Sequence, residues 1–444
     1  MTDRPAVDVL AHGLGGSTDL PIPYSYALIG AAWALTFTFA VVAFAWRTPR
    51  FDPAKDGRAL PAWVTTAVDA PVTRWAVAVA GLLFAGWVAF AGLFGMPDNN
   101  PLAGVFYVLM WIGLVATSLA IGPIWRAVSP VRTLYRLLRM ARLPAGRGYP
   151  GILGYWPSVL GLFAFVWLEL ASPDPGSLVA IRVWLLVYIV VTLAGAVVCG
   201  ERWFGRADPF EVYSVVASRF SLFRRNPNSG LIEVGNPFDH LPSLPIRRGT
   251  VTLLAVLLGS TAFDSFSASP TWRGFADQYA HTVAANSLMR TAGLVTFVAV
   301  VAATFSLAAR ATGGVDTATR RRLPGLMAHS LIPIVLGYMF AHYLSYLVER
   351  GQQAIIALAD PLDRGWNLLG LGNAEVNYVL SLHPSVLATI KVCCVVGGHI
   401  AGVVAAHDRA LRLLPRGYQL TGQLAMMLVM VGYTFTGLYL LFGG

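Results

Sequence analysis

Charge is what this sequence lacks. Only 12% of its 444 residues are Asp, Glu, Lys or Arg and 56% are hydrophobic, whereas soluble globular proteins are about 25% charged. That balance excludes an ordinary soluble domain and implies a membrane protein. Lysine is almost missing, since 30 of the 32 basic residues are arginine. The two lysines are Lys55 and Lys391, and Lys391 stands out because it lies inside an apolar run. Cysteine is scarce as well: Cys199, Cys393 and Cys394 all sit in or at the end of apolar runs, so no loop offers a disulfide framework. The vicinal pair reads as small packed side chains rather than a redox or metal centre. No glycine-rich loop precedes a Lys-Ser/Thr pair, which excludes the common phosphate-binding loop. No span holds His-x-x-x-His or Cys-x-x-Cys, and no Ser-His-Asp set stands out by spacing. Any driving force is then an ion gradient or a partner.

The net charge of +10 does not point to nucleic acid, because the basic residues fall in short loops between apolar runs and form no basic face or arm. A transmembrane helix needs roughly 20 apolar residues. Ten stretches qualify, at about 26–46, 75–95, 102–125, 156–172, 177–199, 250–268, 286–309, 326–348, 384–406 and 420–442. The connections after spans 1, 3, 5, 7 and 9 hold 25 of the 32 basic residues. By the positive-inside rule these loops are cytoplasmic, which puts both termini outside in a multi-pass cell-membrane protein. Residues 1–23 lack the apolar core of a signal peptide, so they read as an extracytoplasmic segment. His12 lies there in His12-Gly13-Leu14-Gly15-Gly16, as a tether or as a flap over the outer mouth beside Asp19.

The fold class that follows is an all-α polytopic bundle with two cytoplasmic interfacial helices. Ser129-Pro130 and Asp208-Pro209-Phe210-Glu211 each supply a cap followed by proline at the first helical position. Val131, Leu134 and Leu138 share one face of the first helix, opposite Arg132, Arg136 and Arg139. Phe210, Tyr213, Ala217 and Phe220 form a stripe on the second. Such helices would lie against anionic headgroups or dock a soluble protein partner. Pro97 and Pro173, Trp125 and Trp203, and Pro130 and Pro209 recur at offsets of 76, 78 and 79. They suggest a tandem unit of two spans plus a capped helix, over 75–143 and 156–222, within spans 1–5 (24–200). A connector at 201–249 leads to spans 6–10 (250–444). Loop lengths also fit an inverted repeat of five spans, the plan of many ion-coupled carriers. The outer loop 349–383 is long enough to be a lid or binding loop.

Ionisable residues inside spans are functional candidates by default, since they must face protein or a wet cavity. The outer half holds Glu169, Arg182, Asp264, His342, Glu349, His383 and Lys391. Tyr338, His342, Tyr346 and Glu349 are spaced 4, 4 and 3 apart, one helical stripe. Pro333 removes a backbone donor and presses on the carbonyl of His329, so it predicts a kink or break. Gly397 and Gly398 complete the candidate hinge, and the Gly398 to Gly402 spacing permits a close helix–helix approach. His329 and His399 are weak metal or haem candidates. At 100° per residue His329 and His342 fall roughly 140° apart, and His383 and His399 about 160°, which disfavours stacked haems. Met426, Met427 and Met430 with the paired cysteines would suit copper, though such clusters are ordinarily packing.

The expectation is therefore a transporter or permease with a proton or ion pathway opening outwards to a small-molecule or ion cargo. Lys391 and Asp264 or Glu169 would exchange partners, because burial favours the neutral form of either group, and His342 would relay protons. A membrane redox or metal-dependent enzyme, and an assembly factor of a membrane complex, are the alternatives.

Overall fold

In a computed structural model that describes residues 17–97, 99–140 and 147–443, the chain is predominantly helical, with little strand. Among the described residues, nine helices are long and apolar enough to cross a membrane. They are α1 (Tyr24–Ala45), α2 (Pro71–Phe94), α3 (Pro101–Ile121), α6 (Leu178–Cys199), α8 (Thr250–Ser267), α9 (Val283–Arg310), α10 (Thr317–Ala359), α11 (Pro384–Leu413) and α12 (Thr421–Phe442). Among the shorter helices between them are α4 (Pro130–Met140), α5 (Trp156–Leu170) and α7 (Pro209–Ser218). His12 and Asp98 fall outside the described residues.

The expected span at 156–172 is shorter than the rest. Fifteen residues of α5 reach about 22 Å, less than the roughly 30 Å of a hydrocarbon core. Its ends nevertheless meet both ends of the bundle. Tyr155 N–H donates to the carbonyl of Arg248, just before α8, at 2.8 Å. At the other end Trp167 Nε1 donates to Thr291 Oγ1 at 2.8 Å, and Arg290 Nη1 to the carbonyl of Leu170 at 3.2 Å.

The loops sort by charge. At the basic end, Asp408 accepts from the backbone N–H groups of Arg50 and Phe51, and His407 Nε2 meets the carbonyl of Trp46 at 2.9 Å. A small antiparallel sheet there joins β1 (Arg58–Ala59), β3 (Ile232–Val234) and β2 (Phe223–Arg225), in that spatial order. At the opposite end Trp87 Nε1 donates to the carbonyl of Leu358 at 3.1 Å and Asn99 Nδ2 to Asp363 Oδ1 at 3.1 Å.

Two segments near the basic end turn back into the bundle. α3 and α6 each end at a glycine with positive φ, Gly122 (98°) and Gly200 (73°), a backbone region that costs a side chain energy. The chain then climbs through a short helix, Trp125–Val128 or Phe204–Ala207. The depth reached is large: the backbone of Val128 lies against Gly81, in the interior of α2, and Tyr188, halfway along α6, donates to Asp208 Oδ1 at 3.1 Å. α4 and α7 start at these buried points.

α7 accordingly differs from a helix lying at the interface, because all ten of its residues are buried. α4 keeps a surface, with Leu137, Leu138 and Met140 exposed. Its arginine face is split, however, because Arg132 turns inward to Glu211.

α10 runs on to Ala359, well past the expected start of the 349–383 loop, and changes pitch twice. A 3₁₀ turn at Ala328–Ser330 precedes Pro333, and a π-helical stretch occupies Tyr346–Arg350. The first has a clear cause, since proline cannot donate to the carbonyl four residues back and crowds it. The second packs against another π-helical stretch, Val105–Gly113 of α3. α10 and α11 approach closely where glycines face each other: a Cβ on Gly337 would strike the carbonyl of Cys394, and one on Gly398 would lie 2.6 Å from the carbonyl of Pro333. Gly398 is thus a packing position, whereas Gly397 faces open space.

Candidate functional site

A buried polar network joins α8 to α10. His342 Nε2 lies 2.8 Å from Asp264 Oδ2, and the Tyr343 hydroxyl donates to the same oxygen at 2.7 Å. On the other side of the ring, His342 Nδ1 lies 3.0 Å from Ser265 Oγ, which accepts from the Tyr338 hydroxyl at 3.0 Å and sits 3.2 Å from the carbonyl of Thr261. Helical spacing explains the meeting: Thr261 and Ser265 are one turn apart on α8, as Tyr338 and His342 are on α10. Asp264, Ser265, Tyr338, His342 and Tyr343 are all buried. Glu169, from the end of α5, lies near enough to Asp264 for their charges to interact, and its Oε2 is buried with no hydrogen-bond partner among the described residues.

The geometry permits two hydrogen-bonding states that differ by one proton. In one, the Ser265 hydroxyl donates to His342 Nδ1 and the neutral ring donates from Nε2 to Asp264. In the other, Ser265 rotates to donate to Thr261, Nδ1 carries a proton and donates to Ser265 Oγ, and the Nε2 bond to Asp264 remains. Only one hydroxyl has to turn, and every buried donor keeps an acceptor in both states.

Other candidates are placed elsewhere. Lys391 is buried and feels the charge of Asp19 in the N-terminal segment. Glu349 accepts from Ser381 N–H at 2.9 Å and from its hydroxyl at 2.7 Å, pinning the outer loop. Tyr346 faces a cavity. The four-residue stripe comes apart because the π stretch widens the helix and shifts its phase after Ser345. Arg182 Nε donates to the carbonyl of Gly92 at 2.6 Å, and His383 is exposed with Nδ1 at 2.8 Å from the carbonyl of Val379. His329 reaches the carbonyls of Leu326 and Ala405; His399 Nδ1 lies 2.8 Å from the carbonyl of Val395, with Nε2 buried and unpartnered among the described residues. Among the described residues no group of three or more His, Cys, Asp or Glu could hold a metal ion. Met426 and Met430 are buried in the apolar core.

A cavity of about 320 Å³ opens at the end opposite the basic loops, lined by Asn99, Asn100, Tyr107, Tyr346, Arg350 and Gln353 among others. Its floor includes Tyr107, which interacts electrostatically with Glu169 and donates to the carbonyl of Pro175 at 2.9 Å. The cavity stops there, and the Asp264–His342 pair is closed off from it. Below the pair, Trp111 lies between Tyr343 and Tyr213, stacked on the latter with centroids 4.9 Å apart. Phe106, Phe165, Trp184 and Phe210 extend this aromatic layer.

Beneath the layer is a second network that sequence reasoning missed. Glu211 is 1% exposed and is held by Arg132 Nη2 at 2.6 Å and Arg126 Nε at 3.2 Å. Asp208 caps α7 through Phe210 N–H at 3.0 Å and also accepts from Trp125 Nε1 at 3.2 Å. The available signal was Glu211 itself, the lone charge in an otherwise uncharged ten-residue helix.

No family model matches the chain, and neither a curated protein nor a solved structure matches it.

Proposed function

We propose that this chain is a multi-pass membrane carrier of a small polar solute, linked to the uptake of one proton at Asp264, His342 and Ser265. The observation that carries the reading is the hydroxyl-switched network, which can take or release a proton while buried. Three further features support it. α10 carries the network and, one turn later, lines the outer cavity, so a change at His342 bears on the cavity wall. The 3₁₀ turn before Pro333 and the π stretch at Tyr346 bracket the network, and departures from α geometry are where helices bend. Glu169 supplies a second acid between the cavity floor at Tyr107 and Asp264. With the basic end in the cytoplasm, the cavity and both termini face outwards across the cell membrane.

The test is a panel of small polar solutes applied to proteoliposomes that hold a pH dye. The expected result is one solute class that acidifies the lumen, with Asp264→Asn abolishing the proton signal while solute still binds. Wild-type protein that sustains proton transport with no solute, beyond a single binding transient, or an Asp264→Asn variant that behaves like wild type, defeats the reading.

A further inference from the structure

A second cavity, of about 740 Å³, runs as an apolar groove between α5 and α6. Ser177 marks one extreme and Trp203 the other, with Leu160, Ala164, Val183 and Val187 between them. The groove faces outwards, as Leu160, Val183 and Val187 are each more than half exposed. Where it ends, a cavity of different character begins. That space, about 330 Å³, is lined by Arg126, Arg132, Arg202, Arg206 and Arg247 with only Glu201 and Glu211 to balance them. The two share one stretch of backbone, since Gly205 and Arg206 line the arginine cavity while Ala207 and Pro209 line the groove.

Three groups at this junction lack a hydrogen-bond acceptor among the described residues. Arg206 stacks over Tyr149 at 5.3 Å and Arg247 over Tyr155 at 5.6 Å, and no carboxylate pairs with either among the described residues. Arg247 Nε and Trp203 Nε1 are buried with no hydrogen-bond acceptor among them. Buried N–H groups without acceptors are costly, and guanidinium pairs match phosphate oxygens in a bidentate manner. Trp203 also sits where tryptophans lie in membrane proteins, at the boundary of apolar and polar zones.

We infer that the groove and the arginine cavity together form one binding site for an anionic phospholipid. The acyl chain lies along α5 and α6, the ester oxygens accept from Trp203, and the phosphate rests on Arg206 and Arg247. The site shares no residue with the Asp264–His342 network, so its failure leaves the carrier reading untouched, and the reverse.

The test is native mass spectrometry of the full chain after exchange into mixed micelles of phosphatidylglycerol or phosphatidylcholine. Wild type is expected to retain phosphatidylglycerol about tenfold or more better, the size of one or two charge-assisted hydrogen bonds. Arg206→Gln with Arg247→Gln should erase that preference; should the pair disturb folding, Arg202→Gln, at an exposed position, should reduce it. Val183→Trp, which fills the groove from an exposed position, should remove both lipids with an unchanged circular dichroism spectrum. Equal retention of the two lipids overturns the proposal. So does inorganic phosphate stabilising wild type and Val183→Trp alike and as strongly as phosphatidylglycerol, which would mark a site for soluble anions.

Discussion

The two buried polar networks of this bundle lie on either side of one aromatic layer and are built from opposite chemistry. Above it, Asp264 is met by an imidazole and a phenol, and the far side of that imidazole by a serine hydroxyl that accepts from a second phenol, all groups that can gain, lose or reorient a proton. Below it, Glu211 is met by two guanidinium groups that never deprotonate. The upper network can change state while every buried donor keeps an acceptor. The lower one can only be intact or broken. A switch and an anchor therefore differ here in the partners offered to a single carboxylate, and the anchor holds the re-entrant helix α7 whose Tyr213 supports Trp111 beneath the switch.

The largest effect expected from breaking this contrast is at the anchor. Glu211→Ala leaves Arg132 buried without its counter-charge, and removal of one partner from a buried pair costs roughly 3–5 kcal/mol. Denaturant unfolding in detergent should show that loss, and Arg132→Met in the same chain should restore much of it. A cost like that of a surface pair would mean the lower network is not an anchor.

A smaller loss is expected where α10 meets α11. Gly337→Ala would push a methyl group into the carbonyl of Cys394, and overpacking of this kind costs about 1–3 kcal/mol. The same measurement checks it, and a neutral result would mean that α10 shifts freely past α11.

Much of the upper network was legible in the sequence, and the reason is physical. Asp264, His342, Tyr338 and Glu169 are polar residues in apolar helices, so a bilayer forces them to face protein. The remainder depended on geometry that periodicity does not carry. Ser265 and Tyr343 are ordinary residues until their neighbours are placed. Tyr346 and Glu349 were read on the stripe of His342 because a π stretch leaves no mark in the spacing of side chains. Lys391 has no sequence neighbour to reveal that its counter-charge is Asp19, some 370 positions earlier. α7 was read as interfacial because its cap and apolar stripe lie in a loop taken as cytoplasmic, and the charge of Glu211 is met within the bundle by Arg126 and Arg132, 85 and 79 positions away.

A third pair of groups tests the idea that fixed guanidinium charge locks its partner. Outside the spans, His240 Nε2 lies 3.0 Å from Arg219 Nη1 and must accept from it. Burial, and then the Arg219 charge, push the imidazole down from 6.5 to about 3. The unfolded chain takes up a proton near pH 6.5 that the folded chain refuses until about pH 3. Stability from this group is therefore complete above the higher value and is lost as the pH falls between the two. His240→Asn should flatten that part of the stability profile; an unchanged slope would show that other groups cause it.

The smallest effect belongs to the exposed pair of Arg225 and Asp69, where the hydrogen bond from Arg225 holds the Asp69 carboxyl below its usual range. Asp69→Asn should cost no more than about 1 kcal/mol, fading in high salt. A salt-insensitive loss would mean that surface and buried pairs do not differ as described.

The most direct measurement is the charge displaced when proteoliposomes adsorbed on a solid-supported electrode meet a sudden change of external pH, with no solute present. Wild type should give a transient current that Asp264→Asn removes and Ser265→Ala slows, while Glu211→Gln, where it folds, leaves it in place. A wild-type chain that gives no transient, or a transient that survives Asp264→Asn, contradicts proton uptake at the upper network.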